Sequence, residues 1–397
     1  MSHYLPYLPC RDGFRLYGAN LIRCLAKRHS IDLVSFLEDE DSAHVDWARR
    51  YCRSVTALPT PHRTFFLKVG NFLAGYFLGR TPYARKEIQP ILTAGIGQWD
   101  VLHVEGGFPS AMVPAELPVP KVLSLHDSPM LRFREMVLAS PDLSSRLYYR
   151  LLGMREGRFE RLVYPRFDRL VVVSERDGAA LERAVPGAQV AVIPNGVDTE
   201  YYSPQNTVKN PGEMVFHGNL AYAPNQEAAQ HFAGEILPRI QRAVPHAVFH
   251  LVGANPPPHL RALASTFEVR LSPDLPDLRA ALSRASVYVC PVRTGTGIKN
   301  KILEALSLEL AIVAYHEAVA GIAVEPGLHL LVADSAEDFA RKSIYLLNNP
   351  SDGARMASEG RRLMLEKYSW DARALSYEAL YQEIVDQRKA RAGSRLH

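Results

Sequence analysis

Apolar runs of four to seven residues recur along the chain, separated by stretches of helix length. They fall at 31–37, 101–105, 121–126, 170–173 and 190–194, then again at 214–217, 248–252, 287–292 and 311–315. The runs are rich in β-branched residues and do not alternate with polar ones, the pattern of strands buried on both faces. Helices between them would supply the cover. The expected fold class is therefore α/β, with two Rossmann-like, doubly wound parallel domains. Between the two series lies GVDTEYYSPQNTVKNPGE, residues 196–213, rich in Asn, Pro, Gly and Thr and without apolar periodicity. It reads as a linker. The domains expected are 1–200 and 214–370, joined by 201–213 with a seam near residue 205. A final helix at 371–397 is expected to return toward the first domain and to fray at its basic end. Such sheets bind ligands at the carboxyl ends of their strands, so two of them facing each other would enclose a site in a central cleft.

Composition narrows the class. A chain of 397 residues with 47% hydrophobic, 22% charged and 9% aromatic residues is neither disordered nor fibrous, and is long enough for two cored domains. Its net charge of +4 is too small to imply nucleic acid as a partner, though it suits phosphates or an acidic membrane surface. Cys10, Cys24, Cys52 and Cys290 form no CxxC. That spacing argues against a disulfide scaffold or a cysteine zinc site and fits a reducing cytoplasm. The opening MSHYLPYLPCRDGFR does not read as a signal peptide. The longest apolar stretch, 65–78, is interrupted by Lys68, Gly70, Asn71 and Gly75 and falls short of the roughly 20 residues of a membrane span, so it reads as a buried helix.

Several familiar signatures are missing: there is no GxxxxGK[ST], HExxH or GxSxG, and the Gly295-x-Gly297 pair lacks a third glycine because residue 300 is Asn. Asp39-Glu40-Asp41 spells a DxD within an acidic run, but a solvated turn is the simpler reading, and no metal site is assigned. The strongest local feature is CPVRTGTGIKNKILEALSLELAIVAY at 290–315. A strand ends at 291 or 292, a glycine-rich turn follows, and an amphipathic helix is expected over 298–309. Ile302, Leu303, Leu306 and Leu310 would form its apolar face. Glycines at 295 and 297 let a ligand approach the helix N-terminus, where unsatisfied N–H groups favour an anion. Lys299 and Lys301 stand in the first turn, where each opposes the helix dipole at a cost of about 0.3–1 kcal/mol. They make sense if a phosphate docks there; otherwise they are solvated lysines, with Lys301 pairing to Glu304. Glu304, one turn on, could accept hydrogen bonds from a ribose diol, completing a nucleoside-diphosphate site.

With those residues in view, the chain resembles the retaining GT-B glycosyltransferases of family 4. The resemblance is carried by 290–315, by IPNGVD at 193–198, FHGNLAYAPN at 216–225, PYLPCRDGFRLYGANLIRCLAKRH at 6–29 and LSLHDSP at 123–129, in the family's order. It implies a C-terminal domain binding a nucleotide-sugar donor and an N-terminal domain binding a small-molecule or glycan acceptor, with no cofactor and no metal. Donor-binding positions implied are Gly13, Gly218, Thr296, Gly297, Lys299, Asn300, Lys301 and Glu304. His126 matches the catalytic histidine, and Glu105 and Asp127 are acceptor-side candidates. Asp127 reads equally as a residue that orients His126 or caps the next segment. Two departures stand out. Thr296 occupies the first position of the family's Glu-x7-Glu, of which Glu304 is the second. Asn219 and Asn225 stand near the family's Arg and Lys, a loss that Lys299 and Lys301 could make good from the helix side. Asn195-Gly196 reads as a structural turn, and Ser174 as a helix N-cap. The activity implied is metal-independent, retaining hexosyl transfer to a hydroxyl of a glycan, lipid-linked sugar or natural product. A regulatory protein that binds the nucleotide sugar without transferring it is the alternative, and a sugar-nucleotide epimerase fits less well.

One segment falls outside this scheme. Residues 144–169 carry Arg146, Arg150, Arg155, Arg158, Arg161, Arg166 and Arg169, with Tyr148, Leu151, Leu152, Phe159, Leu162 and Val163 as an approximate apolar stripe. This reads as a basic amphipathic helix in peripheral contact with an anionic membrane, at its inner face, or as an ordinary surface helix. Glu156 and Glu160 dilute the charge and favour the second reading.

Overall fold

The computed structural model describes residues 1–10, 13–60, 85–140, 142–266, 268–294 and 297–393. The apolar stretch 65–78, Gly295, Thr296 and the end of the basic tail lie outside the described residues. Contacts divide the chain into two compact units, Met1–Pro194 with Arg373–His397, and Asn195–Ala372.

In the first unit, β1 (Asp32–Leu37) pairs with β2 (Ser54–Pro59), and β3 (Leu102–Glu105), β4 (Lys121–Ser124), β5 (Arg169–Val172) and β6 (Val190–Val192) pair in chain order, all parallel. Ser2 bridges Ser35 of β1 and Glu105 of β3, which joins the two sets. Strand order therefore reverses at Ser2, with β1 and β2 on one side and β3 onward on the other. Val104, Val122, Leu123 and Val172 are fully buried, as strands covered on both faces require. The long C-terminal helix, Trp370–Gly393, contributes to this unit from Arg373 onward. There Tyr377 bonds Tyr17 at 2.6 Å, Tyr381 bonds His103 at 2.5 Å, and Arg388 reaches Asp168 at 3.0 Å.

The second unit holds β7 (Asn210–His217), β8 (Val248–Gly253), β9 (Val269–Pro273), β10 (Ala285–Cys290), β11 (Ile312–Tyr315) and β12 (Leu331–Ala333). Their order in the parallel sheet is β12-β11-β10-β7-β8-β9. This is the 3-2-1-4-5-6 winding of a dinucleotide-binding fold, with its switch point between β7 and β10. The core is continuous from Met214 and Phe216 through Phe249 and Tyr288 to Ile302, Leu306 and Val313.

The α/β class and the central strands agree with the sequence pattern; three differences have physical causes. The strands it passed over lie at sheet edges: β2 and β9 carry half-exposed polar positions that break the apolar run, and β12 is only three residues long. The segment read as a linker is not free chain. Strand β7 already begins at Asn210, the division of contacts falls before Asn195, and Tyr202 packs against the second unit's core. The helix expected over 298–309 spans Asn300–Ser307. It ends because Leu310 N bonds Ala305 O and Glu309 N bonds Leu306 O, with Glu309 at φ 58°, the left-handed stop of a Schellman turn.

Strand β8 ends on a glycine for a reason the backbone makes plain. A Cβ at Gly253 would lie 1.9 Å from the carbonyl oxygen of Gly218. No side chain can yield there, since the obstacle is main chain. Gly253→Ala is expected to destabilise the protein by about 1–3 kcal/mol in urea unfolding. An unfolding midpoint equal to wild type would show that β7 and β8 do not approach so closely.

Candidate functional site

At the switch point of the second unit, three segments converge: the turn after β7, the start of the Ala223–His231 helix, and the Asn300–Ser307 helix that follows β10. Lys299 is the N-cap residue of the last helix and provides no side-chain cap to the amides of its first turn. Lys299 instead turns its ammonium to Gly297 O at 3.1 Å. Gly297 sits at φ 69°, a conformation that favours glycine.

Lys301 is half-buried and turns toward the neighbouring helix. Its Nζ donates to Asn225 Oδ1 at 2.5 Å and lies 4.4 Å from the centre of the Phe216 ring. Asn225 is buried and held by its own amide, which donates to Asn219 O at 2.7 Å. Gly218 leaves the space, because a Cβ there would stand 2.9 Å from Lys301 Nζ and 2.8 Å from Asn225 Nδ2. Desolvation lowers the Lys301 pKa to about 8. The expectation that Lys301 pairs with Glu304 is not met. Glu304 Oε2 is instead 2.7 Å from His217 Nε2, and the carboxylate also lies near Tyr202, whose hydroxyl pKa is raised by burial first and by this carboxylate as well. Tyr288 lies 3.0 Å from His217 Nδ1. If its hydroxyl donates there, the proton of the neutral ring is on Nε2, aimed at Glu304. Asn195, read as a mere turn, donates from Nδ2 to Asn300 Oδ1 at 2.9 Å. Thr296 lies outside the described residues.

The first unit builds a second group at the carboxyl ends of β3 and β4. His126 Nε2 is 3.3 Å from Glu105 Oε1, and the ring packs against Phe14 at 4.1 Å and edge-on to Tyr17 at 4.6 Å. Glu105 is buried, with Ser2 Oγ 3.4 Å from its other oxygen. Gly18 makes room, since a Cβ there would come within 2.7 Å of Glu105 Oε2. The neighbour of His126 is therefore Glu105 and not the adjacent Asp127. Glu105 orients His126 instead of facing outward, whereas Asp127 turns to Arg132 at 3.4 Å, and the cap of the next helix is Ser128. Ser174 is the N-cap expected of it. Gly13 opens the Gly13–Leu25 helix with no described atom within 4 Å of a Cβ position, so packing does not explain the glycine.

In the DxD, Asp41 at least is not solvated. Asp41 is fully buried and bonds Arg15 at 3.1 Å, which also pairs with Glu38. Among the described residues no group of three or more His, Cys, Asp or Glu is placed to hold a metal ion. Sequence reasoning missed His217 and Tyr202 as site residues. His217 lay within a quoted motif, but only the fold brings Glu304, 87 positions on, to it.

Residues 12–201 match the model of Glycosyltransferase Family 4, and residues 211–349 that of Glycosyl transferases group 1. This chain belongs to the group 1 glycosyltransferases, with the GT-B fold. An MMP α-(1→4)-mannosyltransferase of Mycolicibacterium hassiacum is 24% identical over 306 residues, covering 74% of this glycosyltransferase and 73% of that protein. Sucrose-phosphate synthase of Thermosynechococcus elongatus superposes with a TM-score of 0.66 at 16% identity, covering 95% and 94% of the two chains. Anabaena HepE in complex with UDP does so at 0.64 and 13%, covering 96% and 99%.

In this glycosyltransferase the burial of Lys301 has a measurable cost. A lysine whose folded pKa is lowered opposes folding below that pKa, and the opposition fades as pH rises from about 8 toward the unfolded value near 10.4. Lys301→Met is expected to raise stability at pH 7 by roughly 1–2 kcal/mol, less than the full titration cost because Asn225 loses its partner. The gain should shrink between pH 8 and 10. Denaturant unfolding across that range checks it; a variant less stable than wild type at pH 7 contradicts the buried-cation description.

Proposed function

We propose that this glycosyltransferase moves a hexosyl group from a nucleoside-diphosphate sugar to an acceptor hydroxyl, with retention of configuration and without a metal ion. The observation that carries the reading is the Lys301 ammonium, fixed by Asn225 beside the uncapped first turn of the Asn300–Ser307 helix. A cation and aligned amides at one spot form a place for a diphosphate. Glu304, oriented by His217 and Tyr202, offers a carboxylate to a ribose diol. A structural neighbour solved with UDP supports the same donor class. The sugar and the base are left open by these contacts, as is the acceptor.

In the proposed reaction the acceptor oxygen bonds to the anomeric carbon as the bond from that carbon to the diphosphate oxygen breaks. The departing phosphate oxygen takes the acceptor's proton. Lys301 and the helix amides stabilise the charge that develops on the diphosphate, the task a divalent cation performs in other transferases. Attack is on the face of the leaving group in this reading, which assigns Glu304 to the ribose and uses no covalent carboxylate of the kind retaining glycosidases use. His126, steadied by Glu105, holds the transferred sugar or the incoming hydroxyl.

Titration calorimetry with UDP, GDP and ADP tests the donor site. One nucleotide is expected to bind, and Lys301→Met to weaken it by about 10–100-fold. Because the binding form of Lys301 is protonated, wild-type affinity should fall by up to about tenfold per pH unit above 8, while the variant stays flat. Equal affinities in both proteins would rule out the phosphate role. Slow donor hydrolysis or transfer that persists in EDTA is expected; nucleotide-sugar binding with no turnover would favour the regulatory alternative.

A further inference from the structure

The helical pair Pro129–Ala139 and Leu143–Val163 in the first unit exposes an apolar stripe that no described element covers. Leu138 is 74% and Leu143 83% exposed, and Leu147, Tyr148, Leu151 and Met154 are exposed beside them. Positions 143, 147, 151 and 154 recur at helical spacing and so share one face. The stripe differs from the one the sequence suggested, since Phe159 and Val163 are buried in the core and the outward face is set by Leu143, Leu147, Leu151 and Met154. Exposed leucines in such number mark an interaction surface and not ordinary surface scatter.

Its occupant is indicated by charge. Residues 129–163 carry seven arginines and no lysine, against Glu135, Asp142, Glu156 and Glu160. Glu160, which seemed to dilute the charge, does not face outward; it is fully buried, and desolvation pushes its carboxyl up to about 8. At pH 7 the pair of helices thus holds as much positive charge as the whole chain's net +4. Arg150 and Arg161 are exposed and, at three residues from Leu147 and seven from Met154, lie along the leucine stripe. Guanidinium groups interleaved with leucines match a surface of phosphate headgroups over acyl chains, and Tyr148 suits the boundary between them. A second copy of the same face would instead bring arginine against arginine. No described helix is long and apolar enough to cross a membrane, which agrees with a surface contact.

We propose that this helical pair docks the glycosyltransferase on an anionic lipid bilayer, with the leucine stripe in the headgroup boundary and the arginines on lipid phosphates. The proposal stands apart from the donor site, so either can fail alone. Vesicle co-sedimentation tests it, using phosphatidylcholine alone and with about a third phosphatidylglycerol. Wild type is expected to bind the anionic vesicles at least ~10-fold better, with binding reduced at high salt. Leu147→Glu with Leu151→Glu should abolish it while leaving the melting temperature and UDP or GDP titration unchanged, since both side chains are exposed. Arg150→Glu with Arg161→Glu should lose only the preference for anionic lipid. Wild type remaining in the supernatant, or the leucine variant binding as wild type does, overturns the proposal. So does an ultracentrifuge dimer that the leucine variant dissolves and vesicles do not compete, which would assign the face to self-association.

Discussion

The candidate site of the second unit depends on one unfavourable placement, a desolvated lysine ammonium beside an aromatic ring. Burying that charge opposes folding, and among the described residues Asn225 is the side chain that accepts a hydrogen bond from it, with Glu304 acting at longer range. The surrounding sequence is organised around the strain. Gly218 has no side chain to block the ammonium, Gly253 has none to push Gly218 aside, and Asn225 is itself fixed by the Asn219 carbonyl. A stability-driven design would place an acid at this helix start. A cation kept there at a cost, with the backbone cleared around it, is what an anionic ligand would reward.

The two units use the same pair of residue types in opposite senses. In each, a histidine and a carboxylate meet at the carboxyl end of a parallel sheet near the reversal of strand order, where such folds present their ligand-binding groups. In the second unit the histidine is interior: the His217 side chain is 4% exposed and Glu304 20%. There the imidazole orients a carboxylate, which is the group offered outward. In the first unit the His126 side chain is 22% exposed and Glu105 7%, so the carboxylate orients the imidazole. The outward group is an acceptor for hydroxyls in one case and a ring that can donate or accept in the other. The proposed diol-binding role of Glu304 and the proposed role of His126 near the transferred sugar both use the group that each pair leaves outward.

What could be read from the sequence follows the same physics. Central strands were legible because burial on both faces forces unbroken apolar runs; β2 and β9 were not, because an edge tolerates polar positions, and β12 was not, because it is only three residues long. Lys299 and Lys301 were legible as anomalies, since the dipole argument needs only local sequence. Their separate fates were not: Lys299 stands at the N-cap position without capping and turns back on Gly297, whereas Lys301 reaches a neighbouring helix. Tyr202 was hidden within a stretch whose composition resembles a linker, though the fold sets it against Glu304. Glu105 and not Asp127 neighbours His126: adjacency in sequence favours Asp127, while strand pairing brings the end of β3 to the end of β4.

Charge therefore acts on this chain at two scales, which the small net value conceals. Lys301 works as a single desolvated cation, where the low local dielectric makes its field strong and its protonation state decisive. Salt should affect it little. The arginines of the paired helices remain in water, where each interaction is weak and screened within about 8 Å at physiological salt, so they can act only as a group and only near a surface of dense opposite charge. The apolar stripe supplies what screened charge lacks, a contact that persists once the protein has arrived. Charge that attracts and leucines that hold are separable contributions, and they belong to a different face of the molecule's chemistry than the lone lysine at the donor site.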